Sequence, residues 1–248
     1  MHSGPIQVLQ ATNRQPVPAP RKPRLLIAGA TGALGNEVLR RLVGLQGFQD
    51  AQVLAREPIT AALRRVATVV VPSEAPGEWP PGAADTGIIL FEPPRLFHDR
   101  ERALWTPRPA QLPALARWMR ASGVTTLAVV LPHAQGRLPE ALKRGLASLD
   151  EQAVAALGFE RLLLIRSAQK PGPAAAPGVL PALAHWMLSI FKYMVPSSEQ
   201  PVRSVKVAEF VSLALQLAPP GIHVAAPELV WRAAQGDMPG TLRQWLHA

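Results

Sequence analysis

From residue 24 onward, short apolar runs alternate with amphipathic stretches. Residues 24–28 are a brief apolar run that ends at a glycine, the pattern of a strand buried on both faces. After a glycine-rich turn at 29–35, residues 36–43 put Val38, Leu39 and Leu42 on one helical face and Glu37, Arg40 and Arg41 on the other. Residues 51–55 predict a second strand, residues 59–63 one or two helical turns, and residues 65–71 a β-branched third strand that stops at Pro72. A Pro/Gly/Ala loop at 75–84 leads to a fourth strand at 87–91, halted by Pro93 and Pro94. Residues 97–108 are polar and charged and are expected to form an excursion at that strand's end.

The alternation then resumes. Residues 112–121 space Leu112, Leu115, Trp118 and Met119 for one buried helical face, residues 125–131 predict a fifth strand, and residues 140–157 a long amphipathic helix closed by Gly158. Residues 161–165 predict the sixth strand. Beyond Arg166 the rhythm fails: a Pro/Ala/Gly-rich connection at 169–181, an apolar helix at 182–194 and an amphipathic helix at 204–217. A short strand is expected within 223–230 and a final helix near Thr241. Strands alternating with helices imply βαβ units, hence an α/β fold with a doubly wound, mostly parallel sheet of Rossmann type and a small helical C-terminal region. The expected division is an N-terminal arm (1–23), a nucleotide-binding domain (24–168) and a smaller substrate or lid region (169–248) packed on the same domain.

In such sheets ligands bind beyond the carboxyl ends of the strands, so the residues after each strand carry the chemistry. After the first strand stands Gly29-Ala30-Thr31-Gly32-Ala33-Leu34-Gly35. The first glycine permits a tight turn, the second lets backbone approach a pyrophosphate, and the third lets the helix pack closely on the sheet. The free amides and dipole at the helix start then face the phosphates. A predicted strand before the motif and a predicted helix after it give the context the motif requires. Arg56 ends the second strand, about twenty residues past the glycines, where NAD-specific sites place a carboxylate. An arginine there would pair with a 2′-phosphate, which favours NADP(H) over NAD(H); in the alternative, Arg56 is a surface residue and Glu57 serves NAD.

The glycine turn and the Leu54-Ala55-Arg56-Glu57-Pro58 strand end resemble the atypical short-chain dehydrogenase/reductases, especially their NmrA-like and NAD(P)H-binding epimerase-like members. The resemblance implies a Rossmann core, a dinucleotide, and cofactor contacts from Gly29, Thr31, Gly32, Ala33, Leu34, Gly35 and Arg56, with Phe91, Glu92 and Pro93 beside the nicotinamide ribose. It also marks departures. Where many members carry an acid after the third strand, this chain has Pro72-Ser73. The serine after the fifth strand and the Tyr-x-x-x-Lys pair on the next helix are missing, and the single tyrosine, Tyr193, lies far downstream. In catalytic members the lysine lowers the tyrosine pKa so that the phenol exchanges a proton with the substrate oxygen.

Three further residues each admit a functional and a structural role. His133 follows the fifth strand and is either a replacement acid or a loop histidine bonded to backbone. Lys143 either binds a substrate anion or is a solvated helix lysine. Arg166 ends the sixth strand, where it either holds a substrate anion or caps the sheet. The histidines show no metal-ligand spacing, so no metal is expected.

Composition adds limits. The 248 residues include no cysteine, which excludes disulfides, thiolate–zinc sites and cysteine nucleophiles. The net charge of +9 is dispersed, without a long basic run or interleaved aromatics, so a solvated basic surface is preferred to a nucleic-acid site. No stretch reaches the roughly 18 uninterrupted apolar residues of a membrane span, and a cytoplasmic location is the default expectation. Two functions follow as expectations: an NADP(H)-dependent oxidoreductase acting on a small carbonyl-like substrate, or a non-catalytic dinucleotide-binding protein that is a redox sensor or an assembly or regulatory protein partner. The oligomeric state is left open.

Overall fold

The computed structural model describes residues 21–45, 47–59, 65–95, 98–133, 145–168 and 202–247. Most of the N-terminal arm, the helical turns expected at 59–63, the connection at 169–181, the helix at 182–194, Tyr193 and Lys143 lie outside the described residues.

Among the described residues, seven strands form one sheet: β1 (Leu25–Ala28), β2 (Ala51–Ala55), β3 (Val66–Val70), β4 (Thr86–Leu90), β5 (Thr126–His133), β6 (Arg161–Ala168) and β7 (Gly221–Ala225). Their spatial order is β3-β2-β1-β4-β5-β6-β7, and every pairing is parallel. This is the doubly wound Rossmann order, whose direction of winding reverses between β1 and β4. The described helices are α1 (Gly32–Gly44), α2 (Asp99–Ala103), α3 (Leu112–Ala121), α4 (Leu149–Ala155), α5 (Ser204–Leu217), α6 (Pro227–Gln235) and α7 (Met238–Leu246).

Alternate residues of β1 feed two cores. Leu25 and Ile27 join a cluster with Val38, Leu39 and Leu42 of α1 and with apolar residues of α5, α6 and α7. Leu26 and Ala28 join the opposite cluster, with Leu115 and Met119 of α3, Val154 of α4, Trp79 and Trp105. Both faces of the sheet are therefore covered, which is why its central strands read as continuous apolar runs.

Several boundaries differ from the sequence expectations: β5 and β6 pair on past the expected 131 and 165 to His133 and Ala168, so Arg166 lies within β6 rather than at its end. The helix expected at 140–157 begins, within the described residues, only at Leu149, because Ser148 caps it: its hydroxyl accepts the Glu151 amide at 3.2 Å. The Ser-x-x-Glu string is a helix-start signal, and the longer amphipathic pattern overran it. The strand expected within 223–230 is shifted back to Gly221–Ala225, since Pro227 opens α6 and carries Val230 into a helix. Finally, α1 starts at Gly32 rather than Asn36, since the glycine turn flows directly into helix while offering no apolar face to read. Among the described residues no helix is long and apolar enough to cross a membrane.

Candidate functional site

The glycine turn sits at the β1/β4 switch point. Gly29 has φ +80° and Gly32 φ +68°, values that L side chains rarely adopt. A Cβ on Gly29 would lie 2.0 Å from the Leu90 carbonyl oxygen at the end of β4. A Cβ on Gly35 would lie 2.5 Å from the Ala30 carbonyl carbon, so this glycine permits the close seat of α1 on the turn. Thr31 is fully buried; its hydroxyl donates to the Glu92 carbonyl at 2.5 Å and lies 3.1 Å from the Thr106 hydroxyl. Ala33 is exposed and Leu34 half-buried. The turn thus leads from β1 into α1 with its backbone set closely against the end of β4.

Two amides of the turn are engaged by side chains of the chain itself. The Gly32 amide donates to Glu101 Oε2 at 2.9 Å, and the Leu34 amide donates to Glu92 Oε2 at 2.5 Å. A Cβ on Gly32 would strike the Glu92 side chain, 2.4 Å from its carboxyl carbon. The close approach that the second glycine permits is thus used by a carboxylate. Glu101 is only 4% exposed and also accepts from the Asn36 amide at 2.8 Å, the Arg95 backbone amide at 2.9 Å and the Arg95 guanidinium. Burial opposes its ionisation, but the Arg95 guanidinium and the Arg95 and Gly32 amides outweigh this and hold its pKa at about 2.

The segment that carries Glu101 crosses the ends of β1 and β2. Ala103 accepts from the Arg56 amide at 2.7 Å, Trp105 donates its amide to Leu54 at 2.9 Å, and the Trp105 carbonyl accepts from Gly29 at 3.2 Å. Leu104 makes an antiparallel bridge to Ala55. Trp105 is completely buried, edge-on to Trp79 with ring centroids 4.9 Å apart, and its indole donates to Glu74 at 3.0 Å. In this arrangement the residues present do not fit a dinucleotide as they stand: the glycine frame suits the pyrophosphate, but its amides already hold carboxylates.

Arg56 lies at the end of β2, its Nε 2.8 Å from Glu74 Oε1. This bond holds the Glu74 carboxyl below the usual carboxylate range against the opposing effect of burial, with the Trp105 indole and Arg108 adding to the lowering. Sequence reasoning stopped at Pro72-Ser73 after the third strand and missed Glu74 one residue on. It missed Glu101 as well, which sits in a short polar and charged stretch with no apolar periodicity of its own.

The other candidates are spread along the carboxyl edge. Phe91 packs partly buried against the Trp105 side of the sheet, and Pro93 is exposed. His133 ends β5, in register with Ala168 of β6, and its side chain lies outside the described residues. Arg166 is 2% exposed, its Nη2 2.6 Å from Glu151 Oε2 and 2.7 Å from the Gly145 carbonyl oxygen. These contacts join β6 to the start of α4, where Glu151 also accepts the Ala147 amide at 2.7 Å. Among the described residues no three His, Asp or Glu side chains gather as metal ligands.

No protein-family model matches the sequence, and no curated protein matches it. Solved structures are similar to it at low identity. The enzyme WbmG of Bordetella bronchiseptica, in complex with NAD and UDP, is 14% identical, with 90% of this chain and 81% of that one covered and a TM-score of 0.46. WbmF of the same organism, in complex with NADH, is 12% identical over 89% of this chain and 78% of its own, with a TM-score of 0.45. A Rossmann-fold NAD(P)-binding family protein from Shigella flexneri is 18% identical over 69% of this chain and 87% of its own, with a TM-score of 0.38. Strand order, two covered sheet faces and a glycine turn at the switch point make this chain a Rossmann-type doubly wound α/β protein.

Proposed function

We propose that this chain binds a nicotinamide dinucleotide, NADP(H) before NAD(H), as an oxidoreductase of the atypical short-chain dehydrogenase/reductase type acting on a small carbonyl-like substrate. The observation that carries the binding claim is the glycine frame. Left-handed backbone at Gly29 and Gly32, and close backbone approaches at Gly29 and Gly35, are the requirements of a pyrophosphate turn rather than of an ordinary loop. Arg56 supports NADP(H). Its pair with Glu74 is half-exposed on both sides, at 42% and 51%, so the guanidinium can change partner at small cost. With no tyrosine on the helix after β5, the proton would come from solvent, from His133 or from the substrate. Lys143 and Arg166 are the remaining substrate-side candidates, and Arg166 would first have to leave Glu151.

One observation favours a second reading, a non-catalytic dinucleotide sensor: the pyrophosphate donors are held by Glu92 and Glu101. Oxidation of NADPH over a panel of aldehydes, ketones and quinones separates the two. Turnover on any member supports the oxidoreductase. Saturable NADPH binding with no turnover on all of them rejects it in favour of the sensor. Arg56→Ala should weaken NADPH binding at least tenfold and NADH binding less than twofold, and equal weakening would reject the 2′-phosphate role.

A further inference from the structure

We propose that residues 98–106, together with Glu92, are an internal occupant of the dinucleotide cleft, and that dinucleotide enters only by displacing them. This rests on the dinucleotide reading above.

Three independent features meet at one place. The carboxylates of Glu101 and Glu92 take the Gly32 and Leu34 amides, the donors a pyrophosphate would use. Two carboxylates bring two negative charges to the positive end of α1, the same number that the pyrophosphate of a dinucleotide brings. The backbone of 103–105 bonds to Leu54, Arg56 and Gly29 across the ends of β1 and β2, where the ligand of such a sheet lies. Trp105 is buried in the same core cluster as Ala28, Leu54 and Val71, edge-on to Trp79, and ties its indole to Glu74. The chain thus supplies two anions, a covering strand and a ring at the switch point.

The construction is displaceable. The helix that carries Glu101 has five residues, too few to hold helical form by itself, so it depends on the contacts it makes with the cleft. Arg95, the cation that steadies Glu101, is 46% exposed, and Glu92 is half-buried. Apparent affinity for a ligand falls by the fraction of molecules whose site is open, so weakening the internal occupant should tighten binding with no new ligand contact.

The test titrates NADPH into the full chain and into Glu92→Gln, Glu101→Gln and the double variant, with backbone-amide hydrogen exchange at Gly32 and Leu34 followed in parallel. Glutamine keeps the side-chain size and removes the charge, and the half-buried Glu92→Gln keeps the test alive if the Glu101 variants fold poorly. Binding at least tenfold tighter in the variants, with faster exchange at the two amides, is expected. In the unaltered chain, NADPH should raise exchange across 98–106 as the segment leaves. Equal or weaker binding in the variants, while the unaltered chain binds, overturns the internal occupant and leaves the dinucleotide reading standing. No binding by any chain, with the amides freed in the variants, overturns the dinucleotide reading and the proposal with it.

Discussion

The amide of Gly32 donates to the carboxylate of Glu101 at 2.9 Å across 69 residues of sequence. It ties the first turn of α1 to the loop beyond β4 and gives the helix start the anion its dipole favours. Glu101→Ala strands the Gly32 amide, the Asn36 amide and the Arg95 guanidinium together. A loss of about 2 kcal/mol in unfolding free energy is expected, measured by urea denaturation, with Glu101→Gln recovering part of it. A change below about 0.5 kcal/mol would show that solvent serves those donors equally well.

The same carboxylate sets a pH dependence. Its pKa is lowered from 4.5 to about 2, so the folded state binds its proton more weakly than the unfolded chain does. Its contribution is fully present above the unfolded value and is lost as pH falls through the folded one, a window from about pH 5 down to pH 2, and it amounts to roughly 3 kcal/mol. Glu74 is lowered too and adds to the same acid loss, so the informative quantity is the difference between the unaltered chain and Glu101→Gln. That difference should shrink between pH 5 and pH 2 in denaturation midpoints. A difference constant across that range would contradict the depressed pKa.

Arg166 and Glu151 form an ion pair with both side chains under 10% exposed, at 2% and 8%. Breaking such a pair from one side leaves a buried charge uncompensated. Arg166→Met should cost about 3–5 kcal/mol, and adding Glu151→Leu should return much of that. Additive losses in the double variant would show that the two groups do not depend on each other.

Two glycines of one region should respond in opposite ways. Gly29→Ala sets a methyl against the Leu90 carbonyl in a left-handed backbone and is expected to cost more than about 3 kcal/mol or to prevent folding. Gly44, the last residue of α1, has open space around its Cβ position. Gly44→Ala should therefore stabilise by up to about 1 kcal/mol through helix propensity. Thermal melts of the two variants check this, and similar shifts would mean that the turn at Gly29 is looser than described.

The sheet was legible because its central strands are covered on both faces, which turns burial into plain apolar runs such as residues 25–28 and 88–90. The glycine turn was legible because its demands fall on residue type. Glu101 and Glu74 were much harder to find, since a carboxylate that meets an amide 69 residues away leaves no periodic mark on its own segment. The start of α4 went astray for a different reason: a good amphipathic pattern outlasted the helix, and the local Ser148–Glu151 cap decided the boundary. Arg166 was expected at the end of the sixth strand, but β6 runs on to Ala168, and its ion pair with Glu151, fifteen residues away, leaves no mark in the sequence.

The central claim is that a nicotinamide dinucleotide seats on the glycine turn. Amide NMR of the labelled chain during NADPH titration tests it most directly. Saturable shifts are expected at Gly29, Gly32, Leu34 and Gly35, joined by Arg56 with NADPH and not with NADH. Amides at these glycines that stay unmoved to millimolar NADPH, in the unaltered chain and in the Glu92→Gln/Glu101→Gln variant alike, would contradict it.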